Sequence, residues 1–239
     1  MTGALRSLAR RFAGAGAESA RIHGAVLRLI SGLRPDPMLD VGCGSGAKAA
    51  AYAEAMGVPP GGLFGIEAQE NYIREAAARL QVRALDIEKD AFPFPDEYFD
   101  LVVCNQVLEH LKNIYLPLQQ MDRVVKTGGH LLIGVPNLAG LYNRMLLAAG
   151  RQPLAVAIAG PHVRGFSCRD MREFLELNGN FRLEASGGAN LYPLPAVLSD
   201  HFVGRLPGLS AFSFFLLRKV RHSPADCAWR PGPCGDTCF

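Results

Sequence analysis

The residues best suited to ligand chemistry lie in one glycine-rich stretch, residues 38–46, which reads MLDVGCGSG. A short apolar run containing Asp40 is followed by glycines at alternate positions: Gly42, Gly44 and Gly46. Glycine can adopt positive φ and allows a ligand to approach the backbone closely. The alanine-rich segment that follows favours a helix, whose N-terminus offers free N–H groups and a positive dipole end. The stretch therefore predicts a strand, a glycine turn and a helix that bind a nucleotide-like ligand.

Two further acids indicate which nucleotide-like ligand fits. Glu67 and Asp86 each end a later apolar run, so with Asp40 they place carboxylates at the ends of three successive predicted strands. Ligands of open parallel sheets bind beyond the carboxyl ends of the strands. An acid after the second strand can accept from both hydroxyls of a ribose and would repel a 2′-phosphate. The acid after the third strand can accept from an exocyclic amine such as that of adenine, and Asp40 can hold an ammonium group.

The spacing of the glycines separates two classes of ligand. A dinucleotide-binding turn has the pattern G-x-G-x-x-G and cradles a pyrophosphate. Here the glycines run 42, 44, 46 and are accompanied by acids. A pocket of carboxylates suits a ligand with an amine and a sulfonium charge but no phosphate, so an NAD-dependent dehydrogenase is disfavoured.

The elements that position these residues alternate between strand and helix. Strands are predicted at 38–41, 63–67, 82–86, 99–105, 130–135, 181–187 and 211–219, and helices at 18–33, 45–56, 70–80, 113–125, 138–149 and 168–178. This alternation predicts an α/β, Rossmann-like, doubly wound and mostly parallel seven-stranded sheet with an antiparallel last strand.

Three regions are predicted along the chain. Residues 1–34 form an N-terminal helical extension, and residues 35–222 form the main domain, with an insertion at about 137–166. Residues 223–239, rich in cysteine, proline and glycine, are expected to form a poorly ordered tail. The N-terminal helix is interpreted as covering a face of the domain, in preference to a lid or a basic contact with a membrane.

Composition and charge limit the classes of partner. The chain is 49% hydrophobic, 20% charged and carries a net charge of +3, which is ordinary for a globular protein. Its basic residues are scattered, so no nucleic-acid partner is predicted. No apolar run reaches a spanning length of about 20 residues, and no secretory signal is apparent. The cysteines resemble buried thiols of a reducing, cytoplasmic setting, and peripheral membrane contact through residues 206–221 is less favoured than a final strand.

Four segments, in order and at the expected spacing, resemble the class I S-adenosylmethionine-dependent methyltransferases, in particular the type 11/UbiE-like bacterial group. They are LDVGCGSG at 39–46, GIE at 65–67, LDIEKDAFPFPDEYFDLVVCNQVLEHL at 85–111 and RVVKTGGHLLIGVPN at 123–137. A weaker resemblance over 136–153 and 161–179 is to a branch that includes MetW-like proteins and methyltransferases of cell-surface glycan or lipid assembly.

The resemblance implies S-adenosyl-L-methionine as cofactor and S-adenosyl-L-homocysteine as product. It implies that Glu67 holds the ribose hydroxyls and that Asp86, with the backbone of Ile87, binds the adenine edge. Asn105 and Gln106 would line the methionine end and the acceptor entrance. The other implied cofactor contacts are Asp40, Gly42, Cys43, Gly44, Gly46 and Ala68.

Residues facing the acceptor are less clearly indicated. His110 can act as a general base or simply cap the short helix at 107–111. His162 and Arg164, in the insertion, can recognise a carboxylate or phosphate or be ordinary surface residues. Tyr192 is a further candidate for acceptor binding. The expected acceptor is a small molecule, a sugar or a lipid-linked molecule, and the oligomeric state is left open.

No metal site and no cysteine nucleophile are predicted. Cys227, Cys234 and Cys238 follow the spacing C-x6-C-x3-C, which lacks the paired C-x2-C typical of zinc sites. No neighbour in sequence would lower the pKa of Cys43, which is interpreted as a small packing residue. In-line methyl transfer is the predicted reaction; a non-catalytic, MetW-like protein that binds the cofactor and regulates a biosynthetic enzyme is the alternative.

Overall fold

The computed structural model describes residues 15–222 and Trp229. Its centre is a seven-stranded sheet with the order β3-β2-β1-β4-β5-β7-β6. The strands are β1 (Met38–Val41), β2 (Leu63–Glu67), β3 (Gln81–Ala84), β4 (Phe99–Asn105), β5 (Val125–Pro136), β6 (Phe181–Ala189) and β7 (Phe212–Lys219). The first five strands pair in parallel, and β7 is antiparallel to both β5 and β6. The predicted fold class is confirmed.

Helices connect the strands and cover the sheet. They are α1 (Ala15–Ile30), α2 (Ala47–Met56), α3 (Glu70–Ala76), α4 (Tyr115–Val124), α5 (Leu141–Ala148), α6 (Cys168–Glu176) and α7 (Ala196–Phe202). The Ser167 hydroxyl accepts from the backbone N–H of Asp170 at 3.1 Å, which is an N-cap for α6. No predicted element corresponds to α7. Within the described ranges, no helix is both long and apolar enough to cross a bilayer.

Alternating side chains of the central strands supply two apolar layers. Leu39 and Val41 pack into the layer that contains α4 and α6, whereas Met38 packs into the layer that contains α1 and α2. This follows from the two-residue period of a strand. All four residues of β1 are buried, as expected for a strand inside a parallel sheet. The carboxyl end of β1 is therefore held rigidly from both faces.

Two predicted boundaries differ from the structure. The strand predicted at 130–135 begins earlier, at Val125, and the added segment includes Gly128 with a φ of 86° and a shift in the pairing register with β4. The chain stays in the sheet through this segment, and Gly128, with its positive φ, accommodates the register shift. At the other edge, β3 ends at Ala84, which leaves Asp86 two residues beyond the last strand residue.

The two ends of the described chain pack onto the domain. Helix α1 packs against β6, β7 and α2, with Ile22, Val26 and Ile30 buried, in agreement with the preferred interpretation of this helix. The predicted tail at 223–239 lies outside the described residues except for Trp229. The Trp229 side chain is buried, and its ring centroid lies 5.0 Å from that of Phe174 on α6.

Candidate functional site

The glycine turn joins the buried end of β1 to the start of α2. Gly42, Gly44 and Gly46 have φ values of 71°, 55° and 76°, a region that favours glycine. A Cβ at Gly42 would collide with Val107, and one at Gly46 would press on Leu80. A Cβ at Gly44 would instead enter open space. The predicted strand, turn and helix are confirmed, and the turn leaves room for a ligand above Gly44.

Glu67, the last residue of β2, holds this turn in place. Its Oε2 accepts from the backbone N–H of Gly44 at 2.8 Å. Its Oε1 accepts from the N–H groups of Ala68 and Gln69 at 2.9 and 3.0 Å. An ionised carboxylate offers about four lone-pair sites, and these bonds use three of them. The buried carboxylate therefore keeps an acceptor position on Oε2, beside the turn.

A cavity of about 370 Å³ opens beside the turn, within the roughly 300–1,000 Å³ typical of small-molecule sites. Several predicted cofactor residues meet there although they come from separate strands. The lining residues are Asp40, Gly42, Cys43, Gly44, Ser45, Ala47, Lys48, Tyr52, Tyr72, Asn105 and Gln106.

The acid at the base of this cavity has unusual electrostatics. Asp40 is 6% exposed, and burial raises its pKa to about 7. The positive charge of Lys48 opposes this shift, while the charge of Glu67 adds to it. Burial and the same two acids raise the pKa of the Cys43 thiol to about 12. Cys43 therefore stays protonated at neutral pH, as expected of a packing residue.

Two amides at the end of β4 present polar atoms without partners. The Oδ1 of Asn105 and the Nε2 of Gln106 are buried and have no hydrogen-bond partner among the described residues. A Cβ at Gly134 would collide with the Asn105 side chain, so this glycine makes the space that the amide occupies. Gln106 has a φ of 60°, which is strained for a non-glycine residue. Buried polar atoms of this kind are costly unless a ligand satisfies them.

The predicted adenine contacts stand apart from this cavity. Asp86 accepts from the Lys89 ammonium at 2.7 Å and from the backbone N–H of Glu88 at 3.0 Å. The hydrogen bond from Lys89 lowers the pKa of Asp86. The Ile87 side chain packs into the core, and Ala68 is exposed. These residues are absent from the lining of the described cavity, as is Glu67, which reaches it only through the glycine turn that it holds.

A second cavity has a volume of about 220 Å³. It is lined by Glu18, Pro136, Gly140, Leu141, Tyr142, Asn143, Leu154, Ala155, His162, Tyr192, Leu209, Ala211 and Phe212. Pro136 is two residues beyond Gly134 on β5, a separation of roughly 7 Å. The predicted acceptor residues His162 and Tyr192 both line this cavity.

One polar pair interrupts the otherwise mostly apolar lining. The Tyr192 hydroxyl donates to Oε2 of Glu18 at 2.7 Å. Burial and this hydrogen bond raise the pKa of Tyr192. Tyr192 was predicted from the sequence, whereas Glu18, which comes from α1 at the far end of the chain, was not.

Arg164 lies in the insertion after β5, and His110 lies beside it. The Arg164 guanidinium donates to the backbone carbonyls of Leu111 and Lys112, and it is absent from the described lining of both cavities. The His110 ring lies edge-on to that of His162, with ring centroids 4.8 Å apart. Burial, together with the nearby His162, lowers the pKa of His110, while a contact with the Pro161 carbonyl opposes the shift.

Glu109, to which the sequence analysis assigned no role, is among the most buried charged residues described. Its side chain is 1% exposed, and neither carboxylate oxygen has a hydrogen-bond partner on another residue in the described part of the chain. Burial raises its pKa to about 7. The only sequence signal was an acid placed before His110 in the short helical turn after β4.

Comparisons with known proteins agree with this geometry. Residues 39–133 match a family model described as a methyltransferase domain. The 27-O-demethylrifamycin SV methyltransferase of Amycolatopsis mediterranei is 34% identical over 139 residues, which cover 52% of this chain and 51% of that protein. The ubiquinone/menaquinone biosynthesis C-methyltransferase UbiE of Cupriavidus taiwanensis is 35% identical over 111 residues, 43% of this chain and 44% of that protein. The chain thus spans about half the length of the curated relatives it matches.

The fold has counterparts among solved structures. An S-adenosylmethionine-dependent methyltransferase of Thermotoga maritima aligns with a TM-score of 0.63 at 20% identity. The alignment covers 89% of this chain and 92% of that one. At this identity the similarity establishes the architecture, including the region beyond residue 133, where the family model ends.

Proposed function

We propose that this protein, whose residues 39–133 match a family model described as a methyltransferase domain, transfers a methyl group from S-adenosylmethionine to an acceptor bound in the second cavity. The observation that supports this most directly is the glycine turn held by Glu67. The turn opens onto a cavity whose polar lining includes Asp40, Asn105 and Gln106. This arrangement offers carboxylates and amides to a cationic adenosyl ligand and has no phosphate-binding pattern.

The residues present fit the cofactor. Open space above Gly44 admits a ribose, and Oε2 of Glu67 retains an acceptor site for a hydroxyl. The unpartnered amide atoms of Asn105 and Gln106 would form hydrogen bonds with polar groups of the methionine portion. Asp40 would hold the ammonium group.

The adenine edge of the cofactor would be bound by residues outside the first cavity. We assign it to Asp86 and the backbone of Ile87, with Ala68 beside the ribose. Since Asp86 already binds Lys89, adenine would share this carboxylate with Lys89 or displace it. The contribution of Asp86 to affinity should therefore be smaller than that of Glu67.

When bound, S-adenosylmethionine supplies a methyl group carried on a positively charged sulfur; an acceptor atom would attack the methyl carbon in line, with the sulfur of S-adenosylhomocysteine as the leaving group. The protein supplies orientation and a site that excludes water. Asn105, which lines the first cavity, packs over Gly134, and Gly134 lies two residues before Pro136 of the second cavity on β5. Residues at this junction would align the acceptor with the cofactor.

The lining of the second cavity favours an acceptor with an apolar body. Leucines and aromatic rings dominate, including Leu141, Leu154 and Phe212, and the Glu18–Tyr192 pair offers one polar contact. A small molecule or the apolar part of a lipid-linked molecule suits this surface better than a bare sugar. His162 would contact the acceptor from the insertion.

Calorimetry and a product assay test the proposal. S-adenosylmethionine and S-adenosylhomocysteine should both bind, and NAD should not; binding of NAD alone would contradict the proposal. Release of S-adenosylhomocysteine should then be measured over a panel of phenolic, lipid-linked and sugar acceptors. Cofactor binding without release on any of them would favour the alternative of a non-catalytic regulatory protein.

A further inference from the structure

Three potential metal ligands converge next to the second cavity. Glu109 and His110 lie on the short helical turn after β4, and His162 lies in the insertion after β5. One ligand atom from each of the three residues lies within 4.8 Å of those from the other two. Their convergence is a tertiary feature, because about 50 residues separate His162 from the other two.

The buried carboxylate in this group needs a partner. Neither oxygen of Glu109 has a hydrogen-bond partner on another described residue, and only the backbone N–H of Glu109 itself acts to lower its pKa. The nearest cationic candidate, Nε2 of His110, is 4.0 Å from Oε1, too far for a hydrogen bond. Burying a carboxylate without compensation is expensive, and buried charges are normally paired or coordinate a metal. A cation between Glu109 and the two imidazoles would provide this compensation.

The two histidines are oriented as metal ligands usually are. Nδ1 of His162 lies 2.8 Å from the carbonyl oxygen of Ala155, and Nδ1 of His110 lies 3.4 Å from that of Pro161. A carbonyl only accepts, so each Nδ1 faces its carbonyl as a donor, and in the neutral imidazole Nε2 then carries the lone pair. Metal-bound histidines typically donate their second ring N–H to a carbonyl or carboxylate in this way.

We propose that Glu109, His110 and His162 form a site for a first-row divalent cation, of which zinc is the best fit. Two imidazoles and one carboxylate suit zinc, iron or nickel better than magnesium or calcium, which prefer oxygen ligands. Two histidines, one glutamate and an open fourth position are also typical of catalytic zinc. Bonds of about 2.0–2.1 Å require ligand atoms roughly 3.4 Å apart in a tetrahedron. The three side chains would therefore draw together on binding.

The open position of this site gives it a role in acceptor recognition. His162 lines the second cavity, so a cation bound to it is within reach of an acceptor there. An oxygen of the acceptor would complete the coordination, which selects acceptors with a hydroxyl or carboxylate oxygen. This role depends on the proposed methyl transfer, whereas the metal site itself does not.

Metal titration of the full-length protein tests the site. After a chelator has removed bound metal, the protein should bind one equivalent of zinc, measured by calorimetry. Its affinity for zinc should be at least about 100-fold higher than its affinity for magnesium. Cobalt should give the visible absorption of a nitrogen- and oxygen-ligated ion. Glu109→Gln and His162→Asn should each weaken zinc binding at least about tenfold, and His201→Asn, a matched histidine change on α7, should leave it unchanged.

The sequence contains a competing set of thiols, Cys227, Cys234 and Cys238, which a triple serine variant removes. If zinc is lost from the serine variant and kept by Glu109→Gln, the proposal is overturned. Binding of S-adenosylhomocysteine by each variant shows that it is folded, and the half-exposed His162 gives a second test should Glu109→Gln fail to fold. Zinc binding without cofactor tests the metal site, and cofactor binding without metal tests the proposed function, so the two ideas can fail separately.

Discussion

Replacing Glu67 by glutamine should weaken both the glycine turn and cofactor binding. The carboxylate accepts three backbone N–H groups, from Gly44, Ala68 and Gln69. An amide keeps one oxygen, and its NH₂ group cannot accept. In the better of its two orientations the glutamine still leaves Gly44 without its acceptor. Position 67 therefore loses at least one charge-assisted hydrogen bond in the unliganded protein.

The magnitude follows from the energy of such bonds. A hydrogen bond to a charged group contributes about 1.5–3 kcal/mol, so Glu67→Gln should lower the unfolding free energy by about that amount. For a domain of this size the melting temperature should fall by roughly 5 °C. Loss of a similar bond to the ribose should raise the Kd of S-adenosylhomocysteine by about 10- to 100-fold.

Calorimetry with S-adenosylhomocysteine and thermal unfolding measure the two effects. Glu75→Gln, the same chemical change on the exposed surface of α3, is the matched control and should alter neither. An unchanged affinity in folded Glu67→Gln would refute the ribose assignment. An equal loss of affinity in the Glu75 variant would show that net charge, and not the hydrogen bond, controls binding.

Three other changes test separate parts of the site and its support. Because burial raises the pKa of Asp40 to about 7, folded protein keeps a proton that unfolded protein releases between about pH 4 and 7, and stability should fall as pH rises through that window. In denaturant titrations, Asp40→Asn should make the unfolding free energy depend less on pH. The dependence that remains should come from Glu109, whose pKa burial also raises to about 7. Gln106→Gly should raise stability by about 1 kcal/mol by relieving its positive φ, yet weaken cofactor binding in calorimetry; tighter binding would show that the amide has no ligand role. Trp229→Ala should lower the unfolding free energy in urea by about 3 kcal/mol, because the ring is buried on Phe174, and no change would mean that this contact adds nothing to the fold.

The sequence alone determined the architecture and the position of the glycine turn between β1 and the next helix. Strand, turn and helix around Gly42, Gly44 and Gly46 are local structures, set by apolar periodicity and by residues that tolerate positive φ. Strand ends in a parallel sheet meet at one edge, so Asp40 and Glu67 could be placed near the turn without coordinates. β4, from Phe99 to Asn105, was predicted to the residue because it encloses the apolar run at 101–104.

Only the tertiary structure decided which side chains meet on the acceptor side. Glu18 and Tyr192, 174 positions apart, are joined by a hydrogen bond, and His162 reaches Glu109 through the fold of the insertion. Periodicity and spacing carry no information about such pairs, because they depend on how irregular segments pack over the end of the sheet. Burial likewise depends on neighbours from distant elements, so the unpaired carboxylate of Glu109 becomes visible only when β4, β5 and the insertion are assembled.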